Sequence, residues 1–422
     1  MANARKTAVD ALLRVERDGA YSNLILGQFL SKIEASKEDK ALASAIFYGV
    51  LDRLITLDYF INKLSKLKVE KLQPLTRQVL RTALYQIYYM DKIPESAAVN
   101  EAVKIIKKSG ESRNSGYVNA VLRSAVSAPV KLPEGRDLYS LSVRYSCPQW
   151  ILTDIVKDYG IENAEEILKA YLLPSNVTLR VNTLKTTAEL LKNSFAELGI
   201  AVNETEEENC LELCSGIDFS GNKLFKEGFF HIQDISSQKC ALALKAEKGE
   251  RILDVCAAPG GKSFTVAQTM NGCGEILSCD LYENRVSLIK QGAQRLGINC
   301  IKAVKNDASV FNPELGEFDA VLCDVPCSGF GVIRRKPEIK YKPSDDFEEL
   351  SKIQSDILSA SSKYVKAGGR LIYSTCTVRK AENELIVKRF LENNSNFNCE
   401  YMHTDLPTGK SDGFFHALLV RK

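Results

Sequence analysis

Cys327, in Asp324-Val-Pro-Cys-Ser-Gly-Phe-Gly331, and Cys376, in Tyr373-Ser-Thr-Cys-Thr377, each follow a short apolar run, 318–323 and 369–373. Each thiol is therefore expected where a buried strand gives way to a loop. In an open parallel sheet that edge is where ligands bind, so the repeated placement points to a pair acting in one active site. A thiolate is the strongest nucleophile among ordinary side chains, and an unperturbed thiol, with a pKa of about 8.5, must gain thiolate character from its surroundings. His231, His403 and His416 lie far from both motifs in sequence and receive no catalytic role here.

Carboxylates recur at the same kind of position. Asp280 ends a second apolar run, Asp307 follows a third and Asp324 ends the fourth, while the first leads into Asp254-Val-Cys-Ala-Ala-Pro-Gly-Gly-Lys262. A turn of small residues ahead of a helix lets a ligand approach the backbone. An acid at the second strand end can accept from both hydroxyls of a ribose, and one after the third can meet an adenine amino group. Any one of these aspartates alone would read as a cap or turn residue. Together they outline a cofactor with a ribose, an adenine and a positive centre.

The elements that must carry these residues alternate from about residue 238 onward. Strands are expected at 251–255, 275–279, 300–304, 318–323 and 370–373, helices at 262–269, 283–296, 346–365 and 381–391, and a closing strand in 413–421. Such alternation predicts βαβ units and a parallel sheet, a Rossmann-like α/β domain over 237–422. Residues 140–236 mix helical stretches (149–159, 163–171, 187–198) with short extended ones such as 176–181, a small α+β domain. Before the turn-rich link 124–138, apolar residues recur at three- and four-residue spacing through 2–17, 42–64 and 73–90, which predicts a compact all-α domain of about five to seven helices over 1–130.

At 422 residues the chain is long enough for two or three domains, and its 45% hydrophobic and 26% charged content is that of a soluble globular protein. No apolar run approaches the roughly 20 residues of a membrane span, and the basic start lacks an apolar core segment, so a cytoplasmic protein without a membrane partner is expected. Twelve cysteines without a CxxC pair, beside three histidines, argue against zinc; no metal is expected. Cys240, Cys256, Cys279 and Cys323 read as small core residues from their apolar neighbours. Net charge is +3, but residues 1–130 hold 20 Lys/Arg against 13 Asp/Glu, which leaves +7 there and −4 elsewhere. A locally basic module favours a polyanion, although solvated helix faces would have the same composition.

The segments DVCAAPGGK, DVPCSGFG and STCTV, in this order, resemble the motifs of S-adenosylmethionine-dependent RNA cytosine-5 methyltransferases. Leu179-Arg-Val-Asn-Thr183 and 228–238 resemble the region that precedes their catalytic domain. Ile93-Pro-Glu-Ser-Ala-Ala-Val-Asn-Glu-Ala102 and Tyr117-Val-Asn-Ala-Val-Leu-Arg123 resemble the helical RNA-binding domain of the antitermination factor NusB. The combination is similar to the RsmB (Sun) branch and covers nearly the whole chain. It implies methylation of a cytosine in 16S ribosomal RNA, at position 967 in that branch, with the RNA naked or in an early small-subunit particle and the enzyme a monomer. By this resemblance Cys256, Ala257, Ala258, Pro259, Gly260, Gly261, Lys262, Asp280, Asp307 and Asp324 line the S-adenosylmethionine pocket.

Carbon 5 of cytosine becomes nucleophilic only after a nucleophile adds at carbon 6. The family implies Cys376 as that nucleophile, Asp324 as the acid that activates the ring near nitrogen 3, and Cys327 as the partner in release; spacing alone allows the reverse, since in DNA cytosine-5 methyltransferases the Pro-Cys cysteine attacks. Just beyond, Gly331-Val-Ile-Arg-Arg-Lys-Pro-Glu-Ile-Lys-Tyr-Lys342 carries five basic residues and one acid. Arg334, Arg335, Lys336, Lys340 and Lys342 are expected to meet RNA phosphates, with Tyr341 available to stack on a base; the alternative is a solvated loop. The family also leaves room for another ribosomal or transfer RNA target. An inert RNA-binding factor on the same fold is disfavoured by intact Cys376, Cys327 and Asp324, and an amino-methyltransferase would carry Asn/Asp-Pro-Pro-aromatic in place of Asp-Val-Pro-Cys.

Overall fold

The computed structural model describes residues 3–18, 22–31, 34–341 and 347–422, so Lys342 lies outside the described residues. Two compact units are present, residues 1–172 with 333–343, and residues 173–332 with 344–422. No helix among the described residues is long and apolar enough to cross a membrane.

The first unit is helical. Helices Ala4–Asp18, Ser22–Ser31, Lys37–Asp52, Leu54–Leu64, Pro74–Tyr89, Glu95–Lys107 and Ser115–Ser127 enclose one core around Phe47, Val50, Leu57, Phe60, Leu80, Leu84 and Leu122, and Leu138–Tyr145 and Gln149–Tyr171 follow. Local chemistry sets the starts: Ser36 accepts from the Asp39 amide, Pro74 occupies a first-turn position whose missing N–H costs nothing, and Asp137 accepts from the Ser140 amide. The last helix bends at Gly160, whose φ of 78° no β-carbon-bearing residue adopts readily.

The segment 333–341 folds into this unit. Its short turn Pro337–Tyr341 lies against the end of Lys37–Asp52, where Lys340 Nζ donates to the Asp52 carbonyl at 2.6 Å and the Tyr341 hydroxyl to the Leu51 carbonyl at 2.7 Å. Terminal helix carbonyls lack intrahelical donors and carry the negative end of the dipole, so an ammonium and a hydroxyl satisfy them. Lys340 is 1% exposed and Arg334 is also buried. The expected phosphate strip is thereby corrected at Lys340 and at Arg334, whose charges are turned inward, and Tyr341 spends its hydroxyl on the helix end; Arg335 is half-buried and Lys336 exposed.

In the second unit β1 (Val177–Val181), β2 (Val202–Glu204), β3 (Cys210–Leu213) and β4 (Phe230–Ile232) form an antiparallel sheet in the order β2-β3-β1-β4. The helix Ala188–Glu197 lays Leu191 and Phe195 onto Leu179, Val181 and Phe230. The larger sheet contains β5 (Arg251–Asp254), β6 (Glu275–Asp280), β7 (Ile301–Lys305), β8 (Phe318–Asp324), β9 (Val365–Thr375), β10 (Phe397–Asp405) and β11 (Phe414–Arg421), ordered β10-β11-β9-β8-β5-β6-β7. Strands β5 to β9 pair in parallel; β11 is antiparallel to β9 and β10. The small sheet is tied to the large one by Asn182, whose Nδ2 donates to the Gly228 and Leu296 carbonyls, both at 2.8 Å, and by Arg295, which donates to the Phe225 and Phe230 carbonyls. The architecture is thus the expected all-α domain, small α+β domain and Rossmann-like α/β domain, with a mixed rather than wholly parallel sheet. Strand β10 was not foreseen.

Candidate active site

Register explains why two cysteines 49 residues apart meet. Strands β8 and β9 are parallel neighbours with Asp324 opposite Ser374, and the Val325 amide donates to the Ser374 carbonyl at 3.1 Å. Cys327 and Cys376, three and two residues beyond that level, leave the same edge side by side. Their sulfurs are 3.3 Å apart, and both residues are half-buried. Of the other cysteines, Cys240, Cys279 and Cys323 are buried as expected, while Cys256 is half-buried at the glycine-rich turn.

Asp324 is held between two partners, Lys262 Nζ at 2.6 Å on one carboxylate oxygen and the Ser374 hydroxyl at 2.7 Å on the other. Burial alone would pull the Lys262 pKa down; the Asp324 carboxylate outweighs it and leaves it raised. An ammonium so held stays charged and neutralises the aspartate next to it. Lys262, expected among the cofactor ligands, is paired with Asp324. Cys327 is driven the other way: its hydrogen bond with Cys376, and then burial, raise its pKa well above the ordinary thiol value. The two sulfurs lie within hydrogen-bond reach of each other, and either can be the donor.

The loops after β8 and β9 are locked together. Gly331 donates to the Cys376 carbonyl at 3.0 Å and Gly413 to the Gly331 carbonyl at 2.8 Å. A β-carbon on Gly331 would lie 1.9 Å from the Gly413 carbonyl oxygen and 2.9 Å from that of Cys376, so only glycine fits. Ser328 and Thr377 hydroxyls are 2.8 Å apart. Below them Glu382, with no exposed surface, accepts from the Ser328 amide at 2.9 Å, from Gln354 Nε2 at 2.9 Å and from Arg379 Nη1 at 3.0 Å. Sequence reading missed Glu382, Gln354 and Ser374. An acid in Lys-Ala-Glu-Asn-Glu looks like the solvated start of a helix, and the only local signal was Arg379 three residues before it.

Toward β5 the remaining predicted residues gather on the same edge. The turn 256–260 joins β5 to the helix Gly261–Thr269; Gly260 caps it at φ 110° and the Ala257 amide donates to the Cys279 carbonyl at 2.8 Å. Ala257 and Gly260 are buried, Ala258 and Gly261 half-buried and Pro259 exposed. Asp254, under the turn, accepts from the Ser263 hydroxyl at 2.6 Å, and burial pushes its pKa up to about 7. Asp280 is buried at the end of β6, its carboxylate 3.5 Å from Arg285 Nη1, while Arg285 also donates to the Ala258 carbonyl at 2.9 Å. Asp307 is exposed after β7 and accepts from the Ser309 amide and hydroxyl, the local turn role that a lone aspartate takes. The donor set suits a nucleoside: free first-turn amides at Gly261–Thr269 and carboxylates at the ends of β6 and β7 flank the point where strand order reverses between β6 and β8 around β5. Among the described residues no three His, Cys, Asp or Glu side chains group as metal ligands.

His231 is buried beside Gln233 and Thr265, with burial lowering its pKa to about 3; His416 is buried in β11 and His403 exposed on β10.

Fold and edge together define an α/β methyltransferase with an appended NusB-type helical domain. Comparisons with known proteins give the same class: residues 241–419 match the model for the 16S rRNA methyltransferase RsmB/F, residues 2–127 that of the NusB family, and residues 147–220 the ferredoxin-like domain of RsmF/B-like methyltransferases. The probable ribosomal RNA small subunit methyltransferase B of Bacillus subtilis (strain 168) is 40% identical over 94% of this chain and 89% of its own length. Ribosomal RNA small subunit methyltransferase B of Escherichia coli O7:K1 is 32% identical over 100% of this chain and 99% of its own. The crystal structure of PH0851 superposes with a TM-score of 0.83 at 25% identity, covering 99% of both chains. The chain belongs to the ribosomal RNA small subunit methyltransferase B (RsmB/Sun) family.

Proposed function

We propose that the chain transfers a methyl group from S-adenosylmethionine to carbon 5 of a cytosine in 16S ribosomal RNA, through a covalent bond between Cys376 and carbon 6. The observation that carries this reading is the 3.3 Å approach of the two sulfurs at the strand edge where Asp324 is paired with Lys262. Cys376 adds to carbon 6. Negative charge pushed toward nitrogen 3 is quenched by a proton that the Lys262 ammonium passes through the Asp324 carboxyl, and carbon 5 becomes nucleophilic. S-adenosylmethionine supplies the electrophilic methyl; the turn 256–261, Asp280 and Asp307 would hold it. The proton on carbon 5 then passes to solvent water as the carbon 5–carbon 6 double bond re-forms, the nitrogen 3 proton returns to the Asp324–Lys262 pair, and Cys327 gives its proton to the departing sulfur of Cys376.

The target cytosine has to be unstacked for a thiol to reach carbon 6, and the RNA is either naked or part of an assembling small subunit. Lys336 and Arg335, the less buried of the described members of the basic strip, would meet its phosphates.

Incubation with S-adenosylmethionine and a ribosomal RNA fragment bearing 5-fluorocytosine tests the reading, because fluorine blocks elimination. A covalent protein–RNA band is expected with the wild type and with Cys327→Ala, and none with Cys376→Ala. On unmodified RNA, Cys327→Ala should accumulate the band that the wild type clears. A band that survives Cys376→Ala and vanishes in Cys327→Ala would reverse the two roles.

A further inference from the structure

Both peptide groups that flank Cys327 are held by buried side chains. On one side the Pro326 carbonyl accepts from Gln354 Nε2 at 3.0 Å; on the other the Ser328 amide donates to Glu382 Oε2 at 2.9 Å; and Gln354 Nε2 bonds to that same Glu382 oxygen at 2.9 Å. The second carboxylate oxygen of Glu382 accepts from Arg379, which comes from the Cys376 loop. Glu382 and Gln354 have no exposed surface, and the Arg379 guanidinium is covered by Phe347, 4.3 Å from its ring centre. The Tyr373 hydroxyl, on β9, donates to the Glu382 carbonyl at 2.7 Å. One acid thus links the β8 loop, the β9 loop and the helix Phe347–Ser362.

Enclosing a carboxylate and a guanidinium is costly, and well-packed apolar residues of similar volume often serve stability as well or better. What a charged clamp adds is geometric definition. Here it fixes the backbone on either side of a thiol that must keep its sulfur within hydrogen-bond reach of another, and displacements of about 1 Å at such a site can cost about a hundredfold in rate.

We infer that Glu382 is a positioning residue that holds the Cys327 loop so that its thiol can assist release of the methylated RNA. The inference rests on the roles given to the two cysteines under Proposed function. In the step concerned, the carbon 5–hydrogen electron pair becomes the carbon 5–carbon 6 double bond and its proton passes to solvent water. The carbon 6–sulfur bond breaks, and the departing Cys376 sulfur takes the Cys327 proton. Glu382 touches neither RNA nor cofactor in this scheme.

Glu382→Gln keeps the volume but offers one acceptor where two are used, so either the Ser328 amide or Arg379 loses its partner. The test follows unmodified ribosomal RNA and S-adenosylmethionine with wild type, Glu382→Gln, Cys327→Ala and the double variant, reading single-turnover methyl transfer, steady-state turnover and the covalent band on a denaturing gel. Single-turnover transfer by Glu382→Gln should stay within about threefold of wild type while steady-state turnover drops about tenfold or more. The covalent band should accumulate, and the double variant should trap no more than Cys327→Ala alone. Gln354→Leu, which cuts the same clamp from the helix side, should trap as well and supplies the reading if Glu382→Gln does not fold. Equal losses in both rates without a covalent band, or wild-type behaviour, would overturn the role of Glu382 while leaving the cysteine roles standing if Cys327→Ala traps. Failure of Cys327→Ala to trap would remove the cysteine assignment and this inference with it.

Discussion

Lys262 and Asp324 are 62 positions apart in the chain and 2.6 Å apart in space, and that pair sets the charge at the strand edge from which the Cys327 and Cys376 loops leave. Replacing Lys262 by Met leaves Ser374 as the remaining partner of Asp324 and removes the ammonium. Loss of one preorganised electrostatic group of this kind costs about a hundredfold to a thousandfold in turnover. Single-turnover methylation by Lys262→Met should fall by that order with an unchanged circular dichroism spectrum; an unchanged rate would dissociate Lys262 from ring activation. Asp254 gives a prediction in pH. Burial raises it to about 7, whereas an unfolded aspartate titrates at about 3.9, so between those values the fold holds a proton that the unfolded chain does not. Its stabilising contribution is complete below about pH 4 and is lost as pH rises through 7. Asp254→Asn, which retains an acceptor for Ser263, should therefore show a higher urea midpoint relative to wild type at pH 8 than at pH 5, and the opposite trend would refute the buried protonated state. At this scale the sequence identified the cysteines and the strand-end acids, because each follows an apolar run that announces its position. It did not pair Lys262 with Asp324, since a lysine after a glycine-rich turn says nothing of an aspartate three strands later.

Parallel strands buried on both faces produce continuous apolar runs, and so β5, β6, β8 and the inner part of β9 were legible within a residue or a few at their cores; β7, Ile-Lys-Ala-Val-Lys at the sheet edge, has no such run and was read from its β-branched residues between turns. Strand β10 lies at the sheet edge with mostly half-exposed or exposed residues, and Asn-Phe-Asn-Cys-Glu-Tyr-Met-His-Thr-Asp carries no run to announce it. The short strands β2, β3 and β4 were unread for a related reason, being too brief for alternation to register. Where elements meet, close approach decides, and Gly331 is the sharpest case. Its missing β-carbon admits the Gly413 carbonyl and the Cys376 carbonyl, so Gly331→Ala must part the β8 loop from the strand and loop beside it. Overpacking of this kind costs about 1–3 kcal/mol. The variant should lose several degrees of thermal midpoint and about tenfold or more in adduct formation on 5-fluorocytosine RNA; retention of both would mean that the loops have slack which the 2.8 and 3.0 Å hydrogen bonds conceal.

Across the whole chain, the basic strip shows how composition misleads when sequence distance hides a partner. Five cations in twelve residues read as an RNA contact, yet Lys340 closes a helix end 288 residues earlier in the chain, where its charge is not available to phosphate. Two measurements separate structural from RNA-facing cations. Lys340→Gln should lower the thermal midpoint and leave the salt dependence of RNA binding unchanged. The +7 carried by residues 1–130 includes Lys66, Lys68 and Lys71, all exposed in the turn after Leu54–Leu64. If that module holds the RNA, each lysine on a phosphate contributes about 0.7–0.9 to the slope of log K against log salt, so replacing all three by Gln should reduce the slope by about 2. Substitution is the cleaner test than removal of residues 1–130, because Lys340 and Tyr341 would lose the carbonyls of Asp52 and Leu51 with that deletion. An unchanged slope in the triple variant would make the positive charge of this face a matter of solvation, and would move the search for RNA contacts to Arg335 and Lys336.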